Sequence, residues 1–399
     1  MLFINRLWRY RRTGAFLEAR ASCPLMATRS KDHRSSTGFA AGPPSRPKTG
    51  GMSLSRLAGM TALAAVLLLA PSGVNRAQAD TVLYLAHTQQ QDDPFALMPI
   101  MAAAFQRIVA QASGGTLRVE IFPNGWLGGN RDAASLVNNN IIQTAIVTAG
   151  GIAGLYPEIA VPEIPFAFDS TEIAEAVLDG PFGHRMADDI ARRSHLVTLG
   201  FGDSGGFFVL TNSVRPIQTP QDVQGLKLRT IPGFGAMDAM IAALGATPIK
   251  ISSREEANAL ASGLADGQMN TISAILAARF DDVQQYATLA SFLYAPMVWV
   301  MNEQALAALT PEQQSIVAMA ARAGIQAGRQ AARALEHSER GLPALHKRLT
   351  IHIASPEERA AFKAALERPA KDYITKTFGA EGTDLVDALF QAIAEAKQP

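Results

Sequence analysis

The chain has 399 residues, more than one ordinary domain and suited to two lobes, with the 48% hydrophobic and 18% charged composition of a globular protein. Its formal net charge of +1 hides an asymmetry: residues 1–79 hold 12 Lys and Arg against 2 Asp and Glu, leaving 24 basic against 33 acidic residues from residue 80 onward. A net-acidic body argues against nucleic acid as a partner, and a body without cysteine excludes disulfides and cysteine metal sites.

Residues 1–51 are basic, rich in Ser, Pro and Gly, and show no apolar periodicity, the pattern of a disordered segment or of an extension upstream of a true start at Met52. Cys23, the only cysteine, has no apolar region before it and so is no lipoprotein anchor. Residues 52–79 set Arg56 ahead of an apolar run from Met60 to Ala70, followed by small residues at Ala77 and Ala79. That is a secretory signal peptide, with cleavage expected between Ala79 and Asp80 and a periplasmic destination; an uncleaved anchor is the alternative, although the run is short for a spanning helix.

From Thr81 the chain alternates strand and helix patterns. Thr81–Ala86 reads as a strand followed by the polar loop His87–Pro94, and Phe95–Ala112 as a helix ended by Gly114 and Gly115. A strand over Thr116–Phe122, a helix over Arg131–Asn139 and a strand over Thr144–Val147 continue the series. The alternation predicts an α/β fold with mainly parallel sheets.

Gly202-Asp203-Ser204-Gly205-Gly206 matches the surroundings of a serine-protease nucleophile, but that chemistry needs an upstream His and Asp in an all-β, disulfide-rich chain. Gly200–Gly205 also fits G-x-G-x-x-G, yet Phe207–Thr211 reads as a strand where a dinucleotide site requires a helix. The stretch Gly200–Gly206 is therefore read as a glycine-rich crossover between lobes, able to hinge.

In Leu226-Lys227-Leu228-Arg229-Thr230 the side chains alternate, so Lys227 and Arg229 share one face before Pro232-Gly233 breaks the strand. Phe234–Leu244 reads as a helix, Thr247–Ile251 as a strand, and Ser253–Glu256 as a capping box opening the next helix. Strand, helix, strand is a parallel unit, and ligands of such units lie beyond the carboxyl ends of the strands, where Arg229 falls. A guanidinium there offers a rigid fork for a carboxylate or phosphate; the plainer reading pairs it with a nearby Asp or Glu.

From Glu303 the chain turns helical. Thr310-Pro311-Glu312-Gln313 opens an Ala-rich run through Glu336, whose small residues suit close packing along both lobes, and Ser355-Pro356-Glu357-Glu358 opens a last helix. The histidines show no metal-binding spacing, Asp92 and Asp93 alone lack the oxygens calcium needs, and no phosphate loop exists, so no cofactor or metal is implied. His87, at a strand end, is a candidate for ligand contact.

Three blocks, Gly225–Arg229, Leu244–Pro248 and Gly263–Asn270, together with Phe122–Gly129, Tyr156–Glu158, Ile164–Phe168 and Thr219–Asp222, resemble the solute-binding proteins of tripartite ATP-independent periplasmic (TRAP) transporters, of the dicarboxylate-binding type. The resemblance runs from Thr81 nearly to the end. It implies a two-lobe binding-protein fold: lobe I over 80–205 with about 295–330 returning to it, and lobe II over 206–294 with helices of about 331–399 packing on it. It implies that Arg229 clamps a ligand carboxylate and Asn270 hydrogen-bonds the anion. Where many relatives carry a second arginine this chain has Phe208, and at Thr148 it lacks an acid that some sialic-acid binders have.

With Ser253 and His87 these residues form the expected site, for a monocarboxylate with an apolar or stackable body, unless Lys227, Arg131 or a water serves a second charge. The implied partners are a small organic acid and the integral membrane permease subunits of a TRAP system, with no enzymatic activity. An exported enzyme acting on a carboxylate and a ligand sensor docking on a membrane receptor are the alternatives.

Overall fold

The computed structural model describes residues 81–398. Two sheets carry the fold. The first has the order β2-β1-β3-β10-β4, from β1 (Thr81–Ala86), β2 (Leu117–Phe122), β3 (Thr144–Thr148), β4 (Leu196–Phe207) and β10 (Tyr294–Asn302). The second has the order β11-β9-β5-β8-β6-β7, from β5 (Val209–Asn212), β6 (Lys227–Thr230), β7 (Thr247–Lys250), β8 (Gly267–Asn270), β9 (Tyr286–Leu289) and β11 (Thr350–Ile353).

Parallel pairing appears where helices connect the strands, as in β2-β1-β3 and β8-β6-β7. Both sheets are nevertheless mixed. The chain leaves the first sheet along β4, turns at Phe208 and enters the second as β5; it returns from β9 to β10 through residues 290–293. An extended crossing needs no helix and brings each strand in reversed, so β10 runs antiparallel to β3 and β4, and β5 to β8 and β9. The two crossings touch: Phe208 N–H donates to Leu293 O at 2.9 Å.

The glycine-rich stretch lies within β4, just before the turn. Gly205 and Gly206 have φ of 113° and 84°, a region that strains any residue with a side chain. Their amides donate to Asp203 Oδ1 at 2.7 and 2.6 Å, and Arg333 pairs with the same buried carboxylate. Burial pushes the Asp203 carboxyl up, while Arg333 and the two amides pull the other way. On the far side, Thr271 and Ser273 hydroxyls both donate to Ser204 O, at 2.6 and 2.8 Å. The crossover is thus pinned from the long helix and from the second lobe together.

The long helix Pro311–Glu336 starts as its sequence predicts: Gln313 N–H donates to Thr310 Oγ1 at 3.2 Å and Thr310 N–H to Gln313 Oε1 at 3.1 Å. Its small residues let it approach closely, since a Cβ on Gly324 would lie 2.8 Å from Met101 O and 2.9 Å from the Trp299 ring. Val317, Ala320 and Ala321 join Phe105 and Trp299 in the first-lobe core, and Leu335, near the far end, packs on the second-lobe core around Ile275 and Leu345.

The last helix, Pro356–Ala396, was expected on the second lobe but meets both. Phe362 meets Phe292 edge to face, Arg185 and Arg193 of the first lobe pair with Asp384 and Glu381, and Tyr373 abuts Gly235 of the second. Its bend at Gly379, φ 62°, lets one helix follow both surfaces.

A methyl group at Gly205 would fall 2.3 Å from Ser273 Oγ in a backbone region closed to alanine. Gly205→Ala is expected to cost roughly 1–3 kcal/mol of stability, read as a lowered urea midpoint with unchanged slope.

Candidate functional site

Between the lobes lies a cavity of about 350 Å³, of the size that holds a small metabolite. Arg229, Asn270, Phe208, Thr148 and Ser253 all line it. Each arrives from the end of a strand or the loop beyond it: Thr148 from β3, Phe208 from the turn after β4, Arg229 from β6, Ser253 after β7 and Asn270 from β8.

Arg229 is only 5% exposed. Its Nε–H donates to Ile251 O at 3.0 Å and Nη2 lies 3.3 Å from Glu256 Oε2, while Nη1 has no hydrogen-bond partner among the described residues. Glu256, itself buried, accepts from Asn270 Nδ2 at 3.0 Å. Burial pushes the Glu256 carboxyl up, and the Arg229 guanidinium and the Asn270 amide oppose the shift. The plainer reading of an arginine facing an acid is therefore present too, but on the wall of a cavity, with one edge of the fork uncommitted.

Glu256 explains why the expected capping box does not form. Its carboxylate is taken by Arg229 and Asn270, so the helix starts at Glu256 itself without a side-chain cap, and Ser252 rather than Ser253 meets Glu255, at 2.6 Å. Ser253 stays exposed at the rim. Lys227 is turned away from the cavity, its Nζ donating to Gly263 O at 2.6 Å and lying 3.5 Å from Asp266.

His87 requires a correction. It is 1% exposed and does not line the cavity; its backbone carbonyl accepts from Gly125 N–H at 3.1 Å, and the ring is packed inside the first lobe. Desolvation pushes its imidazole down to about 4, so it is neutral at physiological pH. Gln89, two residues on, lines the cavity in its place.

Among the lining residues that escaped the sequence reading are Asn130, Arg254 and Glu163. Asn130 Oδ1 accepts from Thr88 Oγ1 at 3.3 Å and from Thr148 N–H at 3.4 Å, tying two cavity loops together. Arg254 Nη2 donates to Gly125 O at 3.3 Å and Arg131 Nη2 to Pro232 O at 2.5 Å, each across from one lobe to the other. The lobes are closed on one another at these points. Ser204 lines the cavity, but no histidine does. Among the described residues no cluster of His, Cys, Asp or Glu would hold a metal ion, and no helix is long and apolar enough to cross a membrane.

Residues 86–376 match the family model of bacterial extracellular solute-binding proteins, family 7 (DctP). The chain belongs to that family. It is 29% identical over 292 residues to the 2,3-diketo-L-gulonate-binding periplasmic protein YiaO of Escherichia coli, covering 73% of this chain and 86% of that one. A TRAP periplasmic solute-binding protein of Bordetella bronchispeptica, with density assigned to pantoate, superposes at TM-score 0.71 with 30% identity over 80% of this chain and all of that one. A sugar acid binding protein of Advenella mimigardefordensis in complex with galactonate gives TM-score 0.72 and 27% identity over 79% and 98% of the two chains. The family 7 member described here is thus a TRAP solute-binding protein of mixed α/β, two-lobe fold.

Glu163 is 7% exposed, and burial pushes its carboxyl up to about 8 from the ordinary value of 4.5. Between those values the folded chain holds a proton that the unfolded chain has lost, so this group lowers stability as pH rises through that window. Glu163→Gln removes the effect. Unfolding free energies across about pH 5 to 8 should fall more steeply for wild type than for Glu163→Gln, by up to ~1.4 kcal/mol per pH unit; parallel curves would contradict the assignment.

Proposed function

We propose that this solute-binding protein captures a small organic acid by its carboxylate between two closing lobes and presents it to TRAP-type integral membrane permease subunits for uptake. The observation that carries the reading is Arg229: a guanidinium 5% exposed, fixed by Ile251 O and Glu256, with Nη1 uncommitted on the cavity wall. A desolvated cation in this position gains most from an oxyanion. Asn270 stands beside it, its Nδ2 donating to Glu256 Oε1 at 3.0 Å and Gln268 Oε1 at 2.6 Å, and it hydrogen-bonds the same anion by exchanging one of these partners for the ligand.

The rest of the cavity favours a single carboxylate. Lys227 is engaged elsewhere, and Arg131 and Arg254 are committed to carbonyls of the facing lobe. Phe208, Ile231, Pro232 and Met297 supply apolar wall for the body of the ligand. Some relatives point the same way, since 2,3-diketo-L-gulonate, galactonate and pantoate each carry one carboxylate, whereas others are named for C4-dicarboxylates or hold succinate, so the preference rests on this cavity's own lining. The lining offers no nucleophile with a base, which supports binding over catalysis.

Thermal shift against organic acids, neutral sugars and amino acids is the direct test. A ligand at about 1,000 times its dissociation constant adds ~4 kcal/mol of stability. Carboxylates should stabilise the wild type, and Arg229→Ala should weaken their binding by ~2–5 kcal/mol. Because that variant strands Glu256, the double variant Arg229→Ala with Glu256→Gln separates lost binding from lost folding. Equal responses in wild type and double variant would remove the clamp.

Export is part of the proposal. The protein recovered from the periplasm should begin at Asp80 on N-terminal sequencing; an intact start within residues 1–51 would contradict cleavage at Ala79.

A further inference from the structure

Arg229 accounts for one end of a ligand, and Glu163 lines the same cavity from the other lobe. Glu163 ends the helical turn Pro157–Glu163, just before Ile164-Pro165-Phe166, and lines the cavity while only 7% exposed. Its carboxyl group has no hydrogen bond and no ion pair among the described residues. The other acids of the lining are all satisfied: Asp132 Oδ2 accepts from Gly129 N–H at 2.8 Å, and Glu256 is matched by Arg229 and Asn270.

A buried acid with no partner inside the protein is left to find one in whatever fills the cavity. Desolvation is the sole influence on its proton affinity and raises it to about 8; no cation stands close enough to counter it. At neutral pH the group is a carboxylic acid with one O–H to donate and a carbonyl oxygen to accept. A hydroxyl on a ligand satisfies both, and an oxo group satisfies the donor. A methylene satisfies neither. A second ligand carboxylate would have to be desolvated beside Glu163 with no cation to receive it.

We propose that Glu163 is a specificity-determining residue, donating a hydrogen bond from its carboxyl group to a hydroxyl or oxo oxygen on the ligand body, so that the cavity selects hydroxylated or oxo monocarboxylates over unsubstituted and dicarboxylic acids. This rests on the carboxylate clamp at Arg229, and the two fail in different ways.

The test is calorimetric titration with D-erythronate and D-galactonate, each beside its deoxy parent, butyrate and hexanoate, and with succinate. Wild type should bind at least one hydroxy acid about tenfold or more tighter than its parent and than succinate. Glu163→Gln, which keeps a neutral donor and an acceptor, should hold that preference within about threefold. Glu163→Leu should abolish it by weakening the hydroxy acid while leaving the parent acid unchanged or tighter.

A wild-type preference that survives in Glu163→Leu overturns the inference, as does a wild type that favours succinate or ignores the hydroxyls. Loss of every acid from Arg229→Ala with Glu256→Gln, while Glu163→Leu behaves as wild type, leaves the clamp standing and removes Glu163. Acids that bind regardless of Arg229, with the hydroxyl preference still lost in Glu163→Leu, remove the clamp and keep Glu163.

Discussion

The arrangement depends on one desolvated guanidinium. Burying Arg229 is tolerable only because Ile251 O and Glu256 occupy part of its fork, and those partners in turn fix neighbouring structure. Glu256 cannot cap its own helix, Asn270 is drawn toward Glu256 at the end of β8, and the loop after β7 is held against β6. The second lobe therefore presents a preorganised half-site. What is left over, an unpaired Nη1 facing a cavity, is the part that a ligand completes.

The first lobe contributes the opposite chemistry. Apart from Arg131 and Asp132, its share of the wall is mostly uncharged, with Gln89, Asn130, Thr148 and Glu163 as polar groups and Ala295, Pro296 and Met297 between them. A cation on one side and neutral donors and acceptors on the other suit a molecule with one charged end and one polar end. Arg131 and Arg254 bind the facing lobe's backbone instead of a countercharge, so they hold the mouth shut without adding a strong anion site deep inside.

The strand-end rule made much of this site legible in the sequence, because in an α/β unit the residues at or just beyond the carboxyl ends of parallel strands must face the crevice. Arg229 follows from that rule; Asn270 and Thr148 were named from the family resemblance alone and stand at the ends of β8 and β3. His87 satisfies the same rule and is nonetheless buried, since its backbone anchors the loop to Gly125 and its ring fills space under that loop. Glu163 was invisible for a different reason: it sits in a short turn between Pro162 and Pro165, where no period of two or 3.6 says which way a side chain points. Glu256 was seen but given the wrong partner, since a Ser-x-x-Glu pattern describes a local cap and carries no information about a cation arriving from another strand. The mixed sheets likewise follow from two extended crossings that local periodicity cannot distinguish from helical ones.

The crossings themselves have a mechanical meaning. Phe207 pairs with Tyr294 in the first sheet, and Phe208 N–H donates to Leu293 O at the turn, so the two connections form a narrow antiparallel ribbon rather than two independent strings. A hydrogen-bonded ribbon flexes readily across its flat face and resists both shear in its plane and separation of its edges. Such a ribbon favours bending about one axis over sliding or parting of its strands, and the two helices that also touch both lobes lie alongside it. The two halves of the cavity wall are thereby held in one register with each other, so the lateral alignment of the site is set by the backbone ladder and not by the solute.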